Sequence, residues 1–331
     1  MKIKMSVNFA VYLFMAVSVF LLSGGSAFAA GSDSCEISKI VGFDIKSSSE
    51  DGIKINLNAE SKKLDFFPQS FDIVNDSIYM LNRYEPNLAI YNLKNKKVDF
   101  IKLNHPADKK FDARFFIDME MNENSIFLLE QSTASIRKSD MSGKISQAFF
   151  LSGSSDVQIL KFFMITPSVF AAFDTNSKSG FSFNTASYDE KNPARSVFDK
   201  FACDSENVAV SKDKLLMLKQ NLKGGIEAMI TPCCETEEIS VPKSWSNYGI
   251  VSVLGGGRND DFYIYSEKDE KGYIESIIKE GTGYKNKVYE LKEKLCLTEY
   301  STRHCRVKGL NNLIILNVSE KTVEFVEVVL K

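Results

Sequence analysis

The apolar positions of the chain recur in short runs at a nearly constant spacing. Phe71-Asp72-Ile73-Val74-Asn75-Asp76-Ser77-Ile78-Tyr79-Met80-Leu81 aligns without a gap on Met119-Glu120-Met121-Asn122-Glu123-Asn124-Ser125-Ile126-Phe127-Leu128-Leu129, 48 residues later. Leu88 then falls on Ile136, and Leu103 on Leu151. Within each unit a short strand, a polar turn, an apolar strand, an alternating strand and a last strand follow one another. The apolar second strand recurs at Val169–Phe173, Leu215–Leu218, Phe262–Tyr265 and Leu313–Leu316, so the starts stand 48, 43, 46, 47 and 51 residues apart. Turn-forming residues precede each recurrence, among them Asn75-Asp76, Lys212-Asp213 and Asn311-Asn312; such side chains hydrogen-bond their own backbone or tolerate turn dihedrals. Asp140-Met141-Ser142-Gly143-Lys144 is a hairpin turn of the same kind.

Six four-stranded units of this length predict an all-β fold, a six-bladed β-propeller of antiparallel blades. One four-stranded sheet cannot bury both of its faces, whereas radial stacking buries each face against the next. The last unit runs out of chain after its third strand near Thr322–Leu330. Gly52–Leu57 is therefore expected to complete the last blade, with Glu36–Ile45 left over as a strap or extra strand. The expected division is 1–29 as a signal peptide, 30–52 as the N-terminal strap and 53–331 as the propeller. The strand-turn-strand rhythm, as in Ser77–Asn82 followed by Leu88–Tyr91, resembles the broad group of NHL-repeat and TolB-like six-bladed propellers. It has no Trp-Asp, no Tyr-Trp-Thr-Asp and no strict blade consensus. The resemblance implies an architecture and leaves the activity open, since activity belongs to a site rather than a fold.

The N-terminus follows a different pattern. Lys2 and Lys4 precede an apolar run from Phe9 to Leu22 that only Ser18 interrupts, and Ala27-Phe28-Ala29 supplies small residues at a cleavage site. This is the layout of a secretory signal peptide, with cleavage expected after Ala29. The run is shorter than the roughly 20 apolar residues a membrane-spanning helix needs. No later segment reaches that length, so no transmembrane segment is expected after cleavage. The expected location is the periplasm or the cell exterior. An exported chain with six cysteines points to disulfides. The candidates are Cys35, Cys203, Cys233, Cys234, Cys296 and Cys305, and Cys296 and Cys305, which bracket an eight-residue loop, are the expected bridge. Cys233 and Cys234 either take different partners or join each other.

Composition narrows the chemistry. Of 331 residues, 41 are Lys or Arg and 43 Asp or Glu, a formal charge of -2 that offers no footprint for nucleic acid. No Gly-x-Ser-x-Gly elbow and no phosphate loop occur; Gly255-Gly256-Gly257 and Gly281-Thr282-Gly283 read as loops. There are two histidines, with His105 expected in a turn and His304 in a loop between units. No catalytic residue, metal ligand or cofactor is therefore predicted. Asp174–Gly180 has the beginning of a calcium loop, but a Lys replaces an oxygen ligand and no acid closes it. Asp72 and Glu120, at matching places in their units, are the candidate axis-facing acids. Two functions stand. One is an exported module that binds a protein, peptide or glycan in the cell envelope. The other is an enzyme with an axial metal or cofactor, lactonase-like or a dehydrogenase subunit.

Overall fold

A computed structural model describes residues 34–49, 52–57, 65–104, 116–151, 157–176, 179–189, 195–196, 207–212, 214–220, 226–232, 239–244, 251–257 and 259–331. Met1–Ala30, His105, Cys203, Cys233 and Cys234 lie outside them.

Along the chain, β1 (Cys35–Ser49) and β2 (Gly52–Ile55) come first. The first four-stranded sheet is β3 (Pro68–Val74), β4 (Ser77–Asn82), β5 (Asn87–Asn92) and β6 (Val98–Lys102). The second is β7 (Phe116–Asn122), β8 (Ser125–Glu130), β9 (Ser135–Ser139) and β10 (Ile145–Phe150). The third is β11 (Ile159–Thr166), β12 (Val169–Asp174), β13 (Ser179–Asn184) and β14 (Arg195–Ser196). The fourth is β15 (Val208–Ser211), β16 (Lys214–Gln220), β17 (Ile226–Pro232) and β18 (Ile239–Ser244). The fifth is β19 (Val251–Gly256), β20 (Asp261–Lys268), β21 (Lys271–Glu280) and β22 (Gly283–Glu290). β23 (Cys305–Gly309), β24 (Asn312–Val318) and β25 (Thr322–Leu330) then form a sheet with the two N-terminal strands, in the order β2-β1-β25-β24-β23. All pairings within these sheets are antiparallel.

The fold is thus an all-β propeller of four-stranded antiparallel blades, with two departures from the sequence expectation. Among the described residues, five sheets have four strands, and the sheet that joins the termini has five. The strand beside Thr322–Leu330 is Cys35–Ser49, running from Cys35 opposite Leu330 to Asp44 opposite Thr322, and Gly52–Ile55 pairs outside it. The two N-terminal segments have exchanged their expected places. Length explains the choice: fifteen residues in β1 can match all nine of β25, which the four of β2 cannot.

Apolar clusters fill the spaces between successive sheets. Leu81, Leu88, Phe116 and Met119 pack the first sheet on the second. Phe127, Phe149, Phe162 and Phe170 pack the second on the third, with Phe127 and Phe170 ring centroids 4.6 Å apart. Leu215 and Phe173 follow, then Leu216 and Ile264, then Tyr263 and Val328. Phe43, Phe71, Ile314 and Phe325 join the five-stranded sheet to the first. Each sheet buries both faces, which is why its strands are rich in Ile, Phe, Leu and Val. The hairpins turn where expected. Asn75 and Asp76 have φ of 47° and 58°, the pair of positive values that a two-residue hairpin of matching twist requires. Gly143 has φ of 87° and a β-carbon there would sit 2.5 Å from the Lys102 carbonyl oxygen. That close approach lets Asn104 bridge the first two sheets, donating to Gly143 O at 3.0 Å and accepting from Ile145 N at 2.9 Å.

Candidate functional site

The first strand of each sheet, β3, β7, β11, β15, β19 and β23, contacts the next around an axis, and β23 contacts β3. Two cavities occupy this axis. One, of about 430 Å³, opens toward the ends of the inner strands, where they turn into the second strands. The other, of about 550 Å³, lies at their beginnings, beside residues 297–302. Lys161 and His304 line both and therefore mark the waist between them.

The two acids expected at the axis are there. Asp72 and Glu120 line the first cavity, and Asp118, two residues before Glu120, lies fully buried behind them. In a strand, residues two apart share a face, so Asp118 and Glu120 point the same way. Three buried carboxylates would repel one another and shed their charge without cations beside them. Arg303 and Arg306, carried on the stretch entering β23, supply those cations. Arg303 forms a two-pronged pair with Asp118, Nε to Oδ1 at 2.6 Å and Nη2 to Oδ2 at 2.8 Å. The same Nη2 reaches Glu120 Oε1 at 2.7 Å and donates to the Phe162 carbonyl, and the guanidinium lies over the Phe163 ring, 5.2 Å from its centroid. Arg306 donates to Phe71 O and Met119 O at 2.9 Å each and to Glu120 Oε1 at 3.2 Å, with Asp72 Oδ1 3.3 Å away.

Backbone groups and hydroxyls complete the set. Asp72 accepts from Ile73 N and Met121 N at 2.8 Å, and Asp118 accepts from Ser70 Oγ at 2.8 Å and Phe162 N at 3.1 Å. Burial opposes the charge on Arg306, yet Asp72, Glu120 and Asp118 together hold its proton more firmly than in water. Burial pushes the Glu120 carboxyl up, against the pull of Arg303 and Arg306. The network joins the first, second and third sheets to the last.

His304 is not a plain loop residue. It stands at the waist, and burial, aided by the Lys161 charge, pushes its imidazole down to about 4, so it is neutral at pH 7. Its Nδ1 is buried and has no hydrogen-bond partner among the described residues.

The bridge expected between Cys296 and Cys305 is not formed. Both thiols are free, as is that of Cys35. Cys305 is buried in the cluster of Leu254, Tyr263 and Ile315, where burial pushes its thiol well up, whereas Cys296 is exposed. Hydrogen bonds hold the intervening loop instead. Cys296 N donates to Asn317 Oδ1 at 2.7 Å, Thr302 N to Gln69 O at 2.7 Å and Thr302 Oγ1 to Ile117 O at 2.8 Å. Asp174, the first residue of the calcium-like stretch, is buried and caps its own turn, accepting from Gln158 N at 2.9 Å and Asn176 N at 3.0 Å. Among the described residues, no three His, Cys, Asp or Glu side chains group in a way that could hold a metal ion.

Sequence reasoning found Asp72 and Glu120 through the repeat but missed Asp118, Lys161, Arg303 and Arg306. A signal was present: Arg306 stands seven residues before the apolar strand Leu313–Leu316, much as Asp72 and Glu120 each stand six before theirs. Opposite charges at one phase of different units are a pairing pattern.

No protein-family model matches the sequence, and no curated relative does. Solved structures do share the fold. A structural-genomics protein of unknown function from Bacteroides thetaiotaomicron superposes with a TM-score of 0.56 at 12% identity, over 89% of this chain and 76% of the other. A member of the DUF4221 family from Bacteroides vulgatus gives 0.55 at 8% identity, over 91% and 100%. A virginiamycin B lyase from Staphylococcus aureus gives 0.52 at 12% identity, over 90% and 100%. At these identities the likeness is one of propeller fold alone.

Proposed function

We propose that this chain is an exported β-propeller that acts as a binding module for a protein, peptide or glycan ligand in the cell envelope. In this reading it is a six-bladed ring of the NHL and TolB-like kind. The five-stranded sheet is its sixth blade, and β1 closes it. The observation that carries the reading is the state of the axial carboxylates. Asp72, Asp118 and Glu120 are each engaged by a guanidinium and by further donors, so the axis is a stitched wall around open cavities. A lactonase-like axial metal site needs carboxylates that converge on an unfilled centre, and these converge on Arg303 and Arg306.

The N-terminal pattern supports export. The mature protein in an envelope fraction should begin at Ala30 by N-terminal sequencing, and an intact Met1 end would remove the export step. Affinity capture from an envelope extract should retain one stable partner at stoichiometric level. The same capture with bulky residues at the cavity mouth, as in Val210→Trp, should lose it. Equal capture by both forms, or turnover of a lactone or sugar substrate, would overturn the reading.

A further inference from the structure

The arginines of the ring differ in their partners. Arg303 and Arg306 meet Asp118, Glu120 and Asp72, and Arg137 meets Glu130 with Nη2 2.6 Å from Oε2. Arg83, just after β4, meets no carboxylate among the described residues. Its Nη1 donates to Gln69 Oε1 at 3.0 Å and to Tyr300 O at 3.2 Å, and its guanidinium lies over the Tyr300 ring, 5.4 Å from the centroid. All of these partners are neutral. A guanidinium does not lose its proton in a protein, so a half-buried positive charge stands here without an anion.

The unused edge of this guanidinium is the one that grips carboxylates. Nε and Nη2 of Arg83 have no acceptor among the described residues, and neither is sealed from solvent. In Arg303 the same two nitrogens hold the two oxygens of Asp118. That planar fork matches a carboxylate in spacing as well as in charge.

Arg83 lines the second cavity, of about 550 Å³, together with half-buried Ile117, Leu160 and Leu297. A cation beside apolar groups suits a carboxylate with an apolar substituent. The lining suits a sugar less well, because a sugar ring docks on an open aromatic face. Phe116 is only 2% exposed, and Arg83 covers Tyr300. Glu299, exposed on the same rim, makes no pair with Arg83. Lys161 also lines the cavity, but it is already engaged.

We propose that the second cavity captures the C-terminal carboxylate of a peptide whose last side chain is apolar. The carboxylate pairs with Nε and Nη2 of Arg83, and the side chain lies against Ile117, Leu160 and Leu297. This inference goes beyond the binding-module reading, whose test lies at the first cavity, and gives the other end of the axis a ligand of its own.

The test uses the full mature chain and calorimetric titration with acetyl-alanyl-alanyl-leucine, its C-terminal amide, acetyl-alanyl-alanyl-glycine and glucuronate. The free acid should bind saturably and its amide about tenfold more weakly, the loss expected for a charge-assisted contact. The glycine peptide should bind several-fold more weakly than the leucine peptide, because it leaves the apolar lining unfilled. Glucuronate, with a carboxylate on a sugar, should not saturate. Arg83→Gln should lower the free acid to the level of the amide and leave the amide unchanged, whereas a merely structural arginine would weaken both alike. Circular dichroism checks that the variant folds. If it does not, Arg83→Lys should weaken the free acid several-fold, since an ammonium lacks the fork. Glu299→Gln should tighten the free acid about twofold, the effect of removing one exposed like charge.

No binding of the free acid, equal binding of acid and amide, an acid preference that survives Arg83→Gln, or glucuronate binding as tight as the peptide would overturn the proposal. The two readings fail separately. Val210→Trp, at the mouth of the first cavity, should leave peptide binding unchanged, and the preference for acid over amide depends on Arg83 whether or not an envelope partner is captured.

Discussion

The axis has two unlike walls built from equivalent strands. On β3, β7 and the stretch entering β23 the lining is ionic, with Asp72, Glu120, Arg303 and Arg306, and Asp118 is buried behind them. On β15 and β19 it is Val208, Val210, Val253, Leu254 and a glycine run. The backbone task is the same on both sides, since each inner strand must sit beside its neighbours. The difference shows that charge is admitted on an inner strand only as a compensated group. A lone buried carboxylate on β15 would have no guanidinium to meet and would have to shed its charge. Compensation on the ionic wall is also connective, because Arg303 touches groups from the second and third sheets at once.

Breaking the compensation should have the largest effect. Asp118→Ala leaves the Arg303 guanidinium buried beside one remaining carboxylate. A loss of about 3–5 kcal/mol in urea-induced unfolding is expected, the range for breaking a buried ion pair from one side. Replacing both partners, as Asp118→Leu with Arg303→Met, should recover a large part of that loss, because apolar isosteres avoid desolvating any charge. Equal losses in the single and double variants would show that the ionic wall is held by packing and not by charge balance.

The waist between the walls should respond to pH. His304 titrates near 6.5 when unfolded and is pushed down to about 4 in the fold. Between those values the unfolded chain takes up a proton that the folded chain refuses, so stability falls as pH drops from 6.5 to 4. The full window corresponds to roughly 3 kcal/mol by the linkage of shift to free energy, and partial solvent access at the waist reduces it toward 2. His304→Phe should flatten this part of the stability curve when both proteins are unfolded at pH 7 and at pH 4.5. An unchanged slope would place the acid sensitivity elsewhere.

The apolar wall has its own weak point. A β-carbon on Gly256 would lie 2.2 Å from the Val210 carbonyl oxygen, which is backbone and cannot swing away. Ser211 Oγ, next along β15, donates to Gly257 O at 2.7 Å and accepts from Asp261 N at 3.1 Å, so β15 and β19 are stitched at this point. Gly256→Ala must force them apart and should cost about 1–3 kcal/mol, as overpacking does. Gly255→Ala, whose β-carbon would make only ordinary contact with Val307 at 3.7 Å, is the matched control and should cost less. Similar values for the two would mean that closeness of the strands does not govern this wall.

The contrast between the walls was only half legible in the sequence. The 48-residue register placed Asp72 and Glu120 on one face at one depth, because spacing in strands fixes direction. It could not show that Arg303 and Arg306 face them, since those residues lie more than 180 positions later and meet the acids only because the ring brings β23 beside β3. The same long-range closure decided which N-terminal segment pairs with Thr322–Leu330. Local pattern favoured the short Gly52–Leu57; the length of β25 favoured Cys35–Ser49. The cysteine pair misled for a related reason. Eight intervening residues make Cys296 and Cys305 neighbours in sequence, but alternation along β23 turns the Cys305 thiol into the cluster with Tyr263 while Cys296 stays at the surface.

The smallest effect separates burial from charge as the cause of the ionic wall's stability. Lys308 and Glu327 form a pair at the cavity rim with an N–O distance of 3.1 Å, within half an ångström of the Arg303–Asp118 contacts. Their side chains are 40% and 25% exposed, against 5% and 0% for the buried pair. Water and ions screen the rim pair, and two long side chains must be ordered to make it. Lys308→Gln should therefore cost only about 0.2–1 kcal/mol, and less in high salt. Glu327 keeps its hydrogen bond from Asn312 Nδ2 at 2.9 Å, so it is not left without a donor. Urea unfolding of both variants at about 0.05 M and 0.5 M salt makes the comparison. The Lys308→Gln loss should shrink with salt, while the Asp118→Ala loss should not, since counter-ions do not reach a buried site. If both losses shrink alike, the guanidiniums at the axis are open to solvent, and the ionic wall is a surface feature folded inward rather than part of the core.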